Sequence, residues 1–145
     1  MATSGQFSCP PLGSFYWPLT AALAQSTREL DAVSVGLHLV VAKSVGTFAL
    51  PLAVERTLPG VWLTPILTEA SIATAARNLS APSLLVGGTK DRLWDAEVAR
   101  QSAADVFELE GANHSLEFGE PVEPSLAALR QVVARVATFV DRLGH

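Results

Sequence analysis

Cysteine is nearly absent from this sequence. Cys9 stands alone among 145 residues, which excludes an internal disulfide framework and suits a reducing compartment. Histidine is scarce as well, and the three histidines and one cysteine are too scattered to form a metal-ligand motif. A glycine-rich phosphate-binding motif is missing from the start of every predicted helix. We therefore expect chemistry that needs neither a metal nor a cofactor.

Clusters of positive charge are missing too. The chain carries 10 Lys and Arg residues against 14 Asp and Glu residues, for a net charge of −4. Because phosphate backbones and anionic membranes are bound by clustered cations, we expect neither nucleic acid nor a membrane as a partner. No stretch approaches the roughly 20 apolar residues of a membrane span, and no basic residue precedes Arg28 as in a secretory signal. The sequence therefore predicts a cytoplasmic protein.

Apolar residues make up 49% of the chain, which is typical of parallel strands that helices cover on both faces. Residues 1–33 are expected to form an irregular segment followed by a helix over 20–32, and residues 34–145 a domain. In that domain, apolar β-rich segments alternate with helical patterns. The predicted strands lie at 37–41, 61–64, 83–87 and 106–109, and the predicted helices at 45–56, 68–79, 95–101 and from Pro124 onwards.

This alternation predicts an α/β fold, in which a parallel β-sheet is flanked by helices. In such sheets the functional groups collect beyond the carboxyl ends of the strands. The final helix has the clearest pattern, because its apolar residues recur at helical spacing. We expect this apolar stripe to be buried against the sheet: Leu126, Leu129, Val133, Val136, Val140 and Leu143.

Three polar residues follow predicted strands in loops that contain glycine or other small residues. Ser44 lies in Ala-Lys-Ser-Val-Gly-Thr after the first strand, Asp91 in Gly-Gly-Thr-Lys-Asp after the third, and His114 in Gly-Ala-Asn-His-Ser after the fourth. A serine hydroxyl is a poor nucleophile until an imidazole takes its proton and a carboxylate orients that imidazole. The order Ser, Asp, His fits such a constellation at one edge of the sheet.

Together the three motifs resemble those of small serine α/β-hydrolases, over roughly residues 35–143. The resemblance implies Ser44 as the nucleophile, His114 as general base and then acid, and Asp91 as the carboxylate that orients the imidazole. It also implies the backbone amide of Val45 as one oxyanion donor. The expected reaction is hydrolysis of a small-molecule ester or thioester through an acyl-enzyme, without a cofactor.

Each candidate also has a purely structural interpretation. Ser44 could cap the following helix, Asp91 could accept hydrogen bonds from amides of its own turn, and His114 could bond to backbone. Three other carboxylates lie near the same edge of the predicted sheet: Asp95, Glu110 and Glu117. Asp95 is more naturally a helix N-cap.

In complete α/β-hydrolases, further strands precede the nucleophile strand, and a loop after one of them gives the second oxyanion amide. Nothing before residue 37 resembles that part, so we expect a truncated fold that lacks the N-terminal strands. The first strand would then have an unpaired apolar edge, for which we expect a homo-oligomer, aggregation, or cover from residues 1–33. The alternative function is a non-catalytic hydrolase-fold remnant that acts as a binding or interaction module.

Overall fold

A computed structural model of the chain describes Arg28 and residues 38–144. The irregular segment and helix expected within residues 1–33 lie outside this part, apart from Arg28. Leu37–His145 forms one compact unit, and the account below concerns its described residues. Within them, no helix is long and apolar enough to cross a membrane.

The sheet has four parallel strands in the order in which they occur along the chain. They are β1 (Val40–Lys43), β2 (Gly60–Leu63), β3 (Ser83–Gly88) and β4 (Asp105–Leu109). Lys43 pairs with Leu63, which pairs with Val86, so the carboxyl ends of neighbouring strands meet at one edge. The predicted α/β class is confirmed. The first strand lies two to three residues later than the expected 37–41.

Helices connect and cover the strands. A 3₁₀ helix (Ser44–Ala49) and α1 (Leu50–Glu55) follow β1, α2 (Ala70–Arg77) follows β2, α3 (Ala96–Gln101) follows β3, and α4 (Glu123–Leu143) follows β4. The single helix expected over 45–56 is therefore wrong in detail, because it is two helices in series. Pro51 falls in the first turn of α1, where a missing amide donor costs no intrahelical hydrogen bond.

Two apolar cores fill the faces of the sheet. One core joins α1, α2 and α3 to β2 and β3, with Leu50, Trp62, Ile72 and Leu85 inaccessible to solvent. The other lies under α4. Every residue of β3 is buried, as expected for a parallel strand covered on both faces. The loop that leaves β3 therefore starts from a strand that is packed on both faces.

The orientation of α4 corrects one prediction. Its buried residues are Ala128, Val132 and Phe139, with Val136 and Leu143 partly buried beside them. Most of the stripe expected in the core is exposed to solvent instead: Leu126, Leu129, Val133 and Val140. At 3.6 residues per turn, the expected face lies roughly a quarter turn from the buried one. Apolar residues cover both faces, and the side with small Ala128 is the one that meets the sheet.

Candidate active site

The Ser44 hydroxyl stands at the carboxyl end of β1, on a sharp turn into the 3₁₀ helix. Its φ of 51° lies in the left-handed region, which costs a non-glycine residue about 1 kcal/mol or more. Thr47 holds this turn, because its fully buried hydroxyl donates to the Ser44 carbonyl at 2.5 Å. The Ile66 amide, from the segment after β2, donates to the same Thr47 oxygen at 3.4 Å. The turn that carries Ser44 is thus hydrogen-bonded to the segment that follows β2.

Asp91 lies in the loop after β3 and is buried. Its Oδ1 accepts a hydrogen bond from the Leu93 amide at 2.9 Å, which leaves Oδ2 for another partner. The loop is shaped by Trp94, whose indole packs on Gly87 so closely that a Cβ there would stand 2.1 Å from the ring. The indole Nε1 donates to Glu108 Oε2 on β4 at 2.6 Å. Sequence reasoning missed this tryptophan, although the glycine pair before it was the available signal.

His114 lies in the loop after β4, and that loop is bonded to the loop of Asp91. The Lys90 amide donates to the Ala112 carbonyl at 3.0 Å, and the Gly111 amide donates to the Thr89 hydroxyl at 2.7 Å. Gly88 permits this approach, because a Cβ on it would lie 2.3 Å from the Ala112 carbonyl oxygen. The separation of the two loops is therefore set by the close approach at Gly88 and by hydrogen bonds from backbone amides.

The structure brings together the three residues singled out in the sequence. Ser44 Oγ lies 2.7 Å from His114 Nε2, and His114 Nδ1 lies 2.7 Å from Asp91 Oδ2. An ionised carboxylate can only accept, so Nδ1 carries the proton and Nε2 is the acceptor for the Ser44 hydroxyl. The Asp91 side chain is 0% exposed while that of His114 is 34% exposed. The chain of hydrogen bonds is therefore dry at the carboxylate and open to solvent at the imidazole.

The purely structural interpretations of these residues explain fewer of their contacts than the catalytic one does. Ser44 begins the 3₁₀ helix itself, and the residue before it makes no side-chain cap. Both ring nitrogens of His114 are engaged by side chains rather than by backbone. Of the competing carboxylates, Asp95 caps α3 by accepting from two amides, as predicted. The other two are exposed side chains: Glu110 and Glu117.

The Val45 amide is the first backbone donor after Ser44. It lies in the first turn of the 3₁₀ helix, where amides have no acceptor within the helix. Such a donor is free to bind an oxygen that develops negative charge beside the serine. Among residues 38–144, no group of three or more His, Cys, Asp or Glu side chains could hold a metal ion.

Strained backbone is concentrated at this edge of the sheet. Three non-glycine residues with positive φ occur there: Ser44, Thr64 at the end of β2, and Leu116 two residues after His114. Left-handed backbone at β-branched Thr64 is rare, and its buried hydroxyl has no hydrogen-bond partner among the described residues. Strain of this kind persists only where the surrounding structure holds it, and it clusters at functional sites.

A solved structure shares this arrangement of strands and helices. It is described as a predicted CIB-like hydrolase from Thermoplasma acidophilum, and it aligns with a TM-score of 0.56 at 18% identity. The chain has an α/β-hydrolase fold. The alignment covers 79% of this chain and 57% of the other, so this chain spans little more than half of that protein's length. At this identity the likeness shows the fold and not the reaction. No protein-family model and no curated protein matches the sequence.

Proposed function

We propose that the protein is a serine hydrolase that cleaves an ester or thioester of a small molecule. The observation that supports this most is the unbroken chain of two 2.7 Å contacts from Ser44 Oγ through the imidazole to the buried Asp91 carboxylate. A histidine that served only the fold would have no need of a serine hydroxyl on one nitrogen and a dry carboxylate on the other. Activation of a serine nucleophile requires contacts of this kind, which supports the proposal.

In the first half of the reaction, Ser44 Oγ attacks the acyl carbon while His114 Nε2 takes the hydroxyl proton. The imidazolium that forms is stabilised by Asp91, and the Val45 amide donates to the oxyanion of the tetrahedral intermediate. The bond to the leaving alcohol or thiol then breaks as Nε2 returns the proton to it. Ser44 is left acylated.

In the second half, water attacks the acyl-enzyme while Nε2 accepts a proton from it. Collapse of the second tetrahedral intermediate releases the carboxylic acid and returns the proton to Ser44 Oγ. A positioned general base contributes about 10²–10⁴ to the rate of such steps, and one oxyanion donor about 10²–10³. The two contributions together are enough to distinguish an enzyme from a folded but unreactive protein.

The proposal is tested by hydrolysis of p-nitrophenyl butyrate and of a butyryl thioester by the purified protein. We expect Ser44→Ala and His114→Ala each to abolish turnover of either substrate. Ser115→Ala serves as the matched control and should retain turnover, because Ser115 follows His114 in the chain and its side chain makes no hydrogen bond with the described residues. Turnover that survives in folded Ser44→Ala would refute the assignment of the nucleophile.

A second candidate is an interaction module, and the apolar surface favours it. In the described part of the chain β1 pairs with β2 alone, so it is the edge strand of that sheet. Val41 on β1 is 59% exposed, and Leu129 and Val133 on α4 are similarly exposed. Exposed apolar residues in such number favour a protein partner, here a second copy of the chain. Sedimentation velocity of wild type against Val133→Asp tests this, since a monomer in both would exclude self-association through α4.

A further inference from the structure

His114 is the middle residue of a turn that is closed by the side chain before it. Asn113 Oδ1 accepts a hydrogen bond from the Ser115 amide at 2.8 Å, and the ring so formed contains the backbone of His114. The same oxygen accepts from the Glu117 amide at 3.0 Å. An amide carbonyl oxygen has two lone pairs, so one side-chain atom satisfies both donors. The turn is an Asx turn extended by two residues.

Backbone contacts close the rest of this loop on the same residue. The Asn113 amide donates to the Glu117 carbonyl at 2.9 Å, and the Leu116 amide donates to the Asn113 carbonyl at 2.9 Å. Leu116 is buried in the core under α4 while its φ of 65° is left-handed. A non-glycine residue in this conformation needs its surroundings to hold it there. Asn113 is the residue on which these contacts converge.

The surroundings of the imidazole do not enclose it fully. Its ring is one-third exposed, so packing alone leaves it room to swing away from Ser44. The two contacts at its nitrogens hold the rotation of the ring. The φ and ψ of His114, which the Asx turn restricts, set the position of its Cβ and so the point from which the ring extends. The Asn113 side chain is exposed and its bonds run to backbone amides, so any influence on the reaction passes through His114.

We propose that Asn113 is a positioning residue, whose side-chain oxygen holds the His114 imidazole between Ser44 and Asp91. This inference rests on the proposed hydrolase function for its catalytic consequence, but the placement of the ring is measurable without catalysis. The His114 Nδ1 proton, held by a buried carboxylate, should give a far-downfield proton resonance. The sharpness of that resonance reports how firmly the ring is held.

The test compares Asn113→Ala, which removes the acceptor, with Asn113→Asp, which keeps an oxygen at the same position. Ser115→Ala is the control in the same loop. We expect Asn113→Ala to broaden or lose the Nδ1 proton resonance and to slow labelling by a fluorophosphonate about tenfold per folded molecule. Asn113→Asp should restore the resonance and bring labelling to within about threefold of wild type. Circular dichroism gives the folded fraction of each variant.

A sharp resonance and wild-type labelling in folded Asn113→Ala would overturn the proposal. Should that variant not fold, Asn113→Ser takes its place under the same criteria, because its shorter hydroxyl cannot reach both amides. If the protein is not a serine hydrolase, the experiment gives a different result. In that case the wild type itself is not labelled, while the resonance still decides whether Asn113 positions the ring.

Discussion

Gly88 sets the distance between the loops of Asp91 and His114, and replacing it by alanine should separate them. The new Cβ would stand 2.3 Å from the Ala112 carbonyl oxygen and 2.7 Å from its carbonyl carbon. These are backbone atoms, so no side-chain rotation relieves the clash. Restoring an ordinary carbon-to-oxygen contact requires the His114 loop to move by about 1 Å.

The magnitude of the effect follows from the contact between serine and histidine. Ser44 Oγ and His114 Nε2 are 2.7 Å apart, and a displacement of about 1 Å carries them beyond hydrogen-bonding distance. Misplacement on this scale costs about 10²-fold in rate. Overpacking at the end of a buried strand should also cost about 1–3 kcal/mol of stability. We therefore expect Gly88→Ala to remain folded at 25 °C but to react far more slowly.

The assay is the rate of covalent labelling by a fluorophosphonate, followed by intact mass beside a thermal melt. Gly46→Ala is the control, because the new Cβ would meet the Ala42 Cβ at an ordinary 3.5 Å although Gly46 lies two residues from Ser44. We expect Gly46→Ala to keep labelling within a few-fold of wild type. Labelling of Gly88→Ala at the wild-type rate would show that the loop spacing does not control the reaction.

Four further substitutions test separate parts of the account. Asp91→Asn should leave the melting temperature nearly unchanged but slow labelling by about two to four orders of magnitude, since an amide that donates to Nδ1 reverses the tautomer. Val132→Asp should destabilise the domain by about 3 kcal/mol or more in urea, because it buries an unpaired charge at a site 4% exposed. Val133→Asp, one position on and 60% exposed, should change stability by less than about 0.5 kcal/mol. Asp95→Ala should cost about 1 kcal/mol through loss of the α3 cap.

Each of these has a result that contradicts it. Full labelling of Asp91→Asn removes the carboxylate from the proposed mechanism. Equal stabilities of Val132→Asp and Val133→Asp would refute the assigned buried face of α4. The stability of Val136→Asp, at a partly buried position, should fall between those of the two variants. An unchanged urea midpoint for Asp95→Ala would mean that the cap contributes nothing to the stability of the domain.

The strand pattern was predictable because burial on both faces leaves a distinct record in the sequence. Short apolar runs such as Leu84 to Val86 fit a covered parallel strand, and the loops after them follow from their glycines. The meeting of Ser44, Asp91 and His114 also follows from topology, since neighbouring parallel strands bring their carboxyl ends together. Their catalytic roles stay a prediction.

The orientation of α4 was beyond the sequence, because two adjacent faces of that helix are apolar and periodicity does not choose between them. The face that meets the sheet is the one that carries Ala128, Val132 and Phe139. The turn made by Asn113 and the packing of Trp94 on Gly87 were also missed. The Asn113 turn is closed by contacts within one folded loop. The tryptophan packs on a residue of β3, where the glycine pair signals a close approach but not the residue that makes it.

The most direct test of the central claim is intact-mass analysis of the purified protein after exposure to a fluorophosphonate, run beside Ser44→Ala. Only a serine whose proton is taken by a neighbouring base reacts readily with this reagent. The account predicts one adduct per wild-type chain and none on the variant. A folded wild-type protein that forms no adduct, or an adduct that persists in Ser44→Ala, would contradict it.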